Sequence, residues 1–200
     1  DAFEVNAVDY LVPFVLEEPS VVAAASHAAK LCRATGGFTA DADSPVMFGQ
    51  VQLVHVSEPE KAVKNILGKK KELLELAKSK DSILAKLGGG PLDLTARVID
   101  TPRGKMVVAC LEVNVLDAMG ANAVNTMCEA LSPELEELSG GKTRLKIISN
   151  LATKRLARAR AVWPKSALEE SAGGKLSGDE VVEGILDAWA FAVGDEFRCA

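Results

Sequence analysis

The sequence predicts an α+β fold in which a small β-α-β-β-α-β unit is inserted into a larger domain. Three observations carry that prediction. Strand-like alternation occurs over residues 46–56, 92–100, 106–115 and 143–148, with a helical pattern after the first strand and before the last. That order is the ferredoxin-like split βαβ arrangement. The flanks, 1–42 and 151–200, read differently from the 43–150 segment and belong together. At 200 residues and 48% hydrophobic content the chain can fill the cores of one or two modest domains, and with 4% aromatics aliphatic and alanine packing must do it.

Taken in order, residues 1–16 read as extended chain. Pro19 then sits at the first helical position, where its missing N–H costs nothing. A helix over 21–32 follows, kept narrow by Ala23, Ala24, Ala25, Ala28 and Ala29 and stopped by Gly36-Gly37. Beyond the 46–56 strand, Pro59 opens a long basic helix running to about Lys80, with Asp81 closing it. Its lysines, Lys69, Lys70 and Lys71 among them, read as a solvated face. Gly88-Gly-Gly-Pro91 lacks the Lys-Ser/Thr ending of a phosphate loop and reads as a connector. Thr101-Pro-Arg-Gly104 turns the next two strands, and a helix runs from Asp117 to Gly140-Gly141. From Leu151 the pattern reads as helical again, with Lys154, Arg155, Arg158 and Arg160 on its polar side and Trp163-Pro164 at its end. Ser177-Gly-Asp-Glu180 is a capping box that opens a last helix over 181–192.

Composition excludes several classes. A net charge of −5 argues against a general nucleic-acid binder. No apolar run approaches the roughly 20 residues needed to cross a bilayer, and no signal-peptide pattern opens the sequence. Cys32, Cys110, Cys128 and Cys199 are scattered, which suits reduced thiols in a cytoplasmic protein. His27 and His55 have no partner at metal-ligand spacing, so no metal site and no histidine-based catalytic centre is expected.

The most informative stretch is Asp117-Ala-Met-Gly-Ala-Asn-Ala-Val-Asn-Thr-Met127. Asp117 can cap free N–H groups, and Gly120 and Ala121 remove bulk where a ligand would approach. Asn122 and Asn125 share a face, opposite an apolar stripe of Met119, Ala123, Val124, Met127 and Leu131. Such a helix start suits an anion; the same spacing also suits a capped helix packed tightly on a sheet. Glu18 lies just before Pro19, where a carboxylate complements the positive helix end, with the acid Glu17 beside it. Arg198, in Asp195-Glu-Phe-Arg198, is a residue type that clamps carboxylates.

Asp117-Ala-Met-Gly-Ala-Asn122 resembles the dinucleotide-binding motif of 3-hydroxy-3-methylglutaryl-CoA (HMG-CoA) reductases. Val15-Leu-Glu-Glu-Pro-Ser-Val-Val-Ala-Ala-Ala-Ser26 resembles that family's substrate-side motif. Gly36-Gly-Phe-Thr-Ala40, Gly49-Gln-Val-Gln52 and Ile147-Ile-Ser-Asn-Leu-Ala152 are similar to it too, in sequence order. The likeness is strongest to the shorter second class. It implies an oxidoreductase of mevalonate and isoprenoid metabolism, interconverting HMG-CoA and mevalonate plus coenzyme A with NAD(H) or NADP(H). It also implies an α/β large domain, incomplete here, around the small cofactor domain. Residue by residue, it makes Glu18 the catalytic acid and Ser20 and Arg198 substrate contacts. Asp81, Asp117, Met119, Gly120, Ala121, Asn122 and Asn150 become cofactor contacts, with Asp81 at the ribose favouring NADH. The family's lysine, aspartate and histidine have no counterpart before Ala200. The sequence therefore reads as a central fragment, inactive alone, of a homodimer or larger homo-oligomer. A noncatalytic ligand- or nucleotide-binding module is the alternative. RNA recognition fits poorly, because the 106–113 strand has no aromatic and the first strand offers only Phe48.

Overall fold

The computed structural model describes residues 3–15 and 18–198; Glu17 and Cys199 lie outside them. In chain order the elements are β1 (Phe3–Val5), β2 (Val8–Tyr10), α1 (Pro19–Cys32), β3 (Phe38–Ala42) and β4 (Val46–Val54). Then come α2 (Pro59–Gly68), α3 (Lys70–Lys78), α4 (Ser82–Lys86), β5 (Gly90–Thr101) and β6 (Gly104–Asn114). The last are α5 (Ala121–Ser139), β7 (Lys142–Ile148), β8 (Ala157–Ala161), α6 (Lys165–Ser171) and α7 (Gly178–Gly194). The fold is α+β with two four-stranded sheets, ordered β2-β1-β3-β8 and β5-β6-β4-β7. The chain divides into two compact units, Ala42–Leu156 and the pair Asp1–Asp41 with Ala157–Ala200.

The Ala42–Leu156 unit is an antiparallel sheet with helices packed on it: β4 pairs with both β6 and β7, and β5 pairs with β6. Period-two alternation along β4 buries Met47, Val51 and Leu53. Helix α5 lies directly on this strand because Gly49 has no side chain. A Cβ there would lie 2.7 Å from Val124 Cγ1 and would also strike Cys128 Sγ. Leu53, Ile66, Leu94, Leu111, Met127, Leu131 and Leu135 form the fully buried centre. Each contributes about 1.5–3 kcal/mol by leaving water. Burial pushes the Cys128 thiol up to about 12, so it remains an inert packing group.

Several expectations need correction here. The basic helix of 59–80 is two helices, broken at Lys69, and Asp81 does not close it. Asp81 instead caps α4, its carboxylate accepting the Leu84 N–H at 2.8 Å. Asp117 is not the cap of α5: that helix begins four residues further on, at Ala121, after Gly120, whose φ of +96° only glycine adopts without strain. Met119 therefore precedes the helix and is exposed, not part of its apolar stripe. The predicted helix from Leu151 is a loop followed by β8. The alternation Ala157-Arg-Ala-Arg-Ala161 has a period of two, and a free edge of β3 was available to pair it.

In the other unit, β1 and β2 form a hairpin turned by Asn6 and Ala7, both at positive φ. Phe38 stacks on Phe3 at 5.9 Å and meets the edge of Trp163 at 6.2 Å. Trp163 donates its indole N–H to the Ala28 carbonyl of α1 at 2.8 Å. His27 Nε2 meets Ser171 Oγ at 2.7 Å. Helix α7 opens with the expected capping box of Ser177 and Glu180. Its apolar residues Ile185, Trp189 and Phe191 are more than half exposed.

Candidate functional site

Helix α5 starts without a side-chain cap, as α1, α2, α3 and α6 also do. Its first-turn N–H groups have no partner within the helix. The turn before it is set by two positive-φ residues, Leu116 at +53° and Gly120 at +96°. A Cβ on Gly120 would lie 2.6 Å from Val115 Cγ1. The glycine is required both by the backbone and by this close approach.

Beside this turn lies a cleft of about 710 Å³, lined by Asp81, Leu84, Leu87, Val115, Asp117 and Gly120 among others. Its size falls within the range of small-molecule sites, roughly 300–1,000 Å³. The structure thus brings Asp81 and Asp117, 36 positions apart in the sequence, to one cavity at the start of α5. The residues present suit a dinucleotide. Uncapped N–H groups and the helix dipole favour phosphate, carboxylates accept hydroxyl hydrogens, and apolar walls take a flat ring. Met119, Ala121, Asn122 and Asn150 do not line this cleft. Met119, Asn122 and Asn150 are exposed, and Ala121 is half-buried on the first turn of α5. Asn125, the face partner of Asn122, accepts the Ile148 N–H at 2.8 Å and so ties α5 to β7.

Sequence reading missed Arg155. From the loop after β7 its guanidinium donates to the carbonyls of Ala118 at 2.8 Å, Met119 at 3.4 Å and Leu116 at 3.4 Å. No local pattern announces such a contact across nearly forty residues. The neighbouring Lys154 pairs with both oxygens of Glu112, at 2.7 and 2.8 Å, and sits 5.7 Å from the Phe48 ring centre.

In the other unit, Glu18 is the residue before α1, in extended conformation, and makes no capping bond. The Ser20 hydroxyl donates to Glu18 Oε1 at 2.5 Å. The two predicted residues therefore meet at the helix start. Arg198 is exposed in the turn after α7, its N–H donating to the Asp195 carbonyl. Among the described residues its guanidinium makes no hydrogen bond or ion pair with Glu18 or Ser20. Among the described residues no cluster of His, Cys, Asp and Glu could hold a metal, and no helix is long and apolar enough to cross a membrane.

Comparison with known proteins gives the chain's family. The family model described as hydroxymethylglutaryl-coenzyme A reductase matches residues 1–200. The 3-hydroxy-3-methylglutaryl-coenzyme A reductase of Archaeoglobus fulgidus is 52% identical over 198 residues, covering 99% of this chain and 44% of that protein. Among solved structures, the class II reductase from Streptococcus pneumoniae bound to NADPH in open conformations superposes with a TM-score of 0.88 at 43% identity. That match covers 97% of this chain and 52% of the other. A second structure of the Streptococcus pneumoniae reductase gives 0.87 at 42% identity, covering 97% and 45%. The chain belongs to the hydroxymethylglutaryl-coenzyme A reductase family. It spans about half the length of the relatives it matches.

Proposed function

We propose that the protein carrying this chain is an oxidoreductase that interconverts HMG-CoA and mevalonate plus coenzyme A with a nicotinamide cofactor. The observation that carries the reading is the cleft at the start of α5, in a chain of this family, where Asp81, Asp117 and Gly120 converge. The element order and the strand order β5-β6-β4-β7 support a ferredoxin-like cofactor domain over 43–150. Residues 1–42 and 151–200 then supply the substrate side. The nicotinamide supplies hydride when bound. The start of α5 holds the phosphates, with Met119, Ala121, Asn122 and Asn150 as further contacts around it. Asp81 accepts from the ribose hydroxyls and repels a 2′-phosphate, which favours NADH. Glu18 handles the proton at the substrate oxygen, with Ser20 fixing its carboxylate. Arg198 pairs with the substrate carboxylate. The protein works in the cytoplasm as at least a dimer, which would cover the exposed apolar residues of α7.

The test is oxidation of NADH by the protein in the presence of HMG-CoA, with mevalonate identified as product. Glu18→Gln should keep the fold and lose about 10²–10⁴-fold in turnover. A helix-end charge alone contributes only about 0.3–1 kcal/mol to stability. Near-normal turnover in that variant would remove Glu18 from the chemistry.

A further inference from the structure

We infer that Arg155 is a positioning residue for the dinucleotide turn, a role that rests on the cofactor reading above. Its guanidinium gathers three carbonyls, those of Leu116, Ala118 and Met119, in the residues that lead into α5. A trans peptide points its C=O and the following N–H in opposite directions. Carbonyls turned toward Arg155 therefore turn the N–H groups of Asp117, Met119 and Gly120 away from it. The turn needs such a hold. Leu116 is a non-glycine residue at φ +53°, and Gly120 sits at +96°. Two local bonds support it, Ala118 N–H to the Val115 carbonyl at 3.2 Å and Leu116 N–H to Asn114 Oδ1 at 3.0 Å. At the start of the turn the Val115 N–H also donates to the Pro45 carbonyl at 3.0 Å, and Arg155, 36 to 39 positions away, holds the three carbonyls that follow.

The charge is informative as well. A cation at a helix N-terminus opposes the helix dipole, so its position does not serve the helix. It does raise the positive potential where an anionic ligand would lie. Arg155 is half-buried, and among the described residues no carboxylate pairs with it. A planar fork can serve several carbonyls at once, whereas a lysine ammonium acts as a point charge. Geometry and charge thus make separable contributions.

Two variants, Arg155→Met and Arg155→Lys, separate them in the protein carrying this chain. Backbone amide exchange over residues 116–124 reads the clamp itself, with or without ligand. Fluorescence titration with NADH reads its consequence, and steady-state kinetics divides the effect between the two substrates. Faster exchange at Ala118 and Val124 is expected in both variants. The NADH dissociation constant and KM should rise about tenfold or more in Arg155→Met, with the KM for HMG-CoA unchanged. Arg155→Lys should recover only part of that loss. Unchanged exchange would overturn the clamp, and full recovery by lysine would reduce the role to charge. Faster exchange with unchanged NADH affinity would overturn the positioning role. Faster exchange in a protein whose unmodified form binds no dinucleotide would instead overturn the cofactor reading, and the positioning role with it.

Discussion

At the residue scale, the molecule depends on positions where a side chain must be absent. Gly49 admits α5 onto β4, and Gly120 allows the turn into α5 to close over Val115. Glycine at 120 is over-determined, by a positive φ and by a 2.6 Å approach that a Cβ would make. Gly120→Ala should therefore destabilise the fold by roughly 1–3 kcal/mol, the usual range for a strained backbone position. It should also raise the NADH dissociation constant, because the N–H groups at the helix start move with the turn. Chemical denaturation and fluorescence titration check the two effects. A variant with unaltered cofactor affinity would mean that this turn is structural only. The need for a small residue at 120 was legible from its position before a helical run. Its partner Val115 was not, because strand β6 brings that residue to the turn.

At the scale of elements, Asp81 has two possible duties that single substitutions can separate. It caps α4, and it lines the cleft. Asparagine caps helices nearly as well as aspartate, whereas alanine removes the cap at a cost of about 1 kcal/mol. On the cofactor reading proposed above, Asp81→Asn should keep the melting temperature and shift the relative affinity for the two cofactors toward NADPH. Asp81→Ala should lower the melting temperature and make the same shift. Unequal use of the two cofactors that survives Asp81→Asn would place the selectivity elsewhere. The connection from α5 to β7 rests on a second acid. Glu136 accepts the Thr143 N–H and hydroxyl and pairs with Lys142 at 3.0 Å. Those contacts, the Thr143 N–H foremost, hold its carboxyl at about 2, below the ordinary 4.5. A lowered folded value stabilises the protein above the ordinary value, and that stability is lost as pH falls toward the folded one. The wild type should therefore melt above Glu136→Gln at neutral pH, and the gap should close between about 4.5 and about 2. A gap independent of pH would show that the hydrogen bonds, not the charge, carry the effect. The resemblance had already put Asp81 at the cofactor, but its cap on α4 was hidden: Asp81 was assigned to the end of the wrong helix, since a break at Lys69 leaves no turn residue to signal it.

At the scale of the whole molecule, the buried hydrophobic cluster from Met47 to Leu135 lies within the Ala42–Leu156 unit. The other unit buries few large side chains; in α1 only Ala29 and Cys32 are inside. Residues 42–156 made alone should accordingly melt in one cooperative transition and bind NADH. Calorimetry with fluorescence titration tests this, and a broad transition without cofactor binding would mean that the flanks complete the unit. The chain enters and leaves this unit at one place, where the Asp43 N–H donates to the Leu156 carbonyl at 2.8 Å and the Leu156 N–H donates to Asp43 Oδ2 at 3.3 Å.

What the sequence determined by itself was local in origin. Alternation placed β4 to β7, Pro19 and Pro59 marked helix starts, and Ser177 with Glu180 fixed the start of α7. The motif at 117–122 falls on the turn into α5, and Glu18 and Ser20 meet at the start of α1, while their roles remain proposals. Tertiary structure decided whatever depended on a partner far along the chain. Residues 157–161 became a strand because β3 offered an open edge, and Asp81 and Asp117 came to line one cleft only through the packing of the folded unit. Arg155 found its three carbonyls only once the loop after β7 had been brought back to the start of α5. Propensity and periodicity act over a few residues, whereas these contacts arise from sheet register and helix packing, which no short stretch encodes.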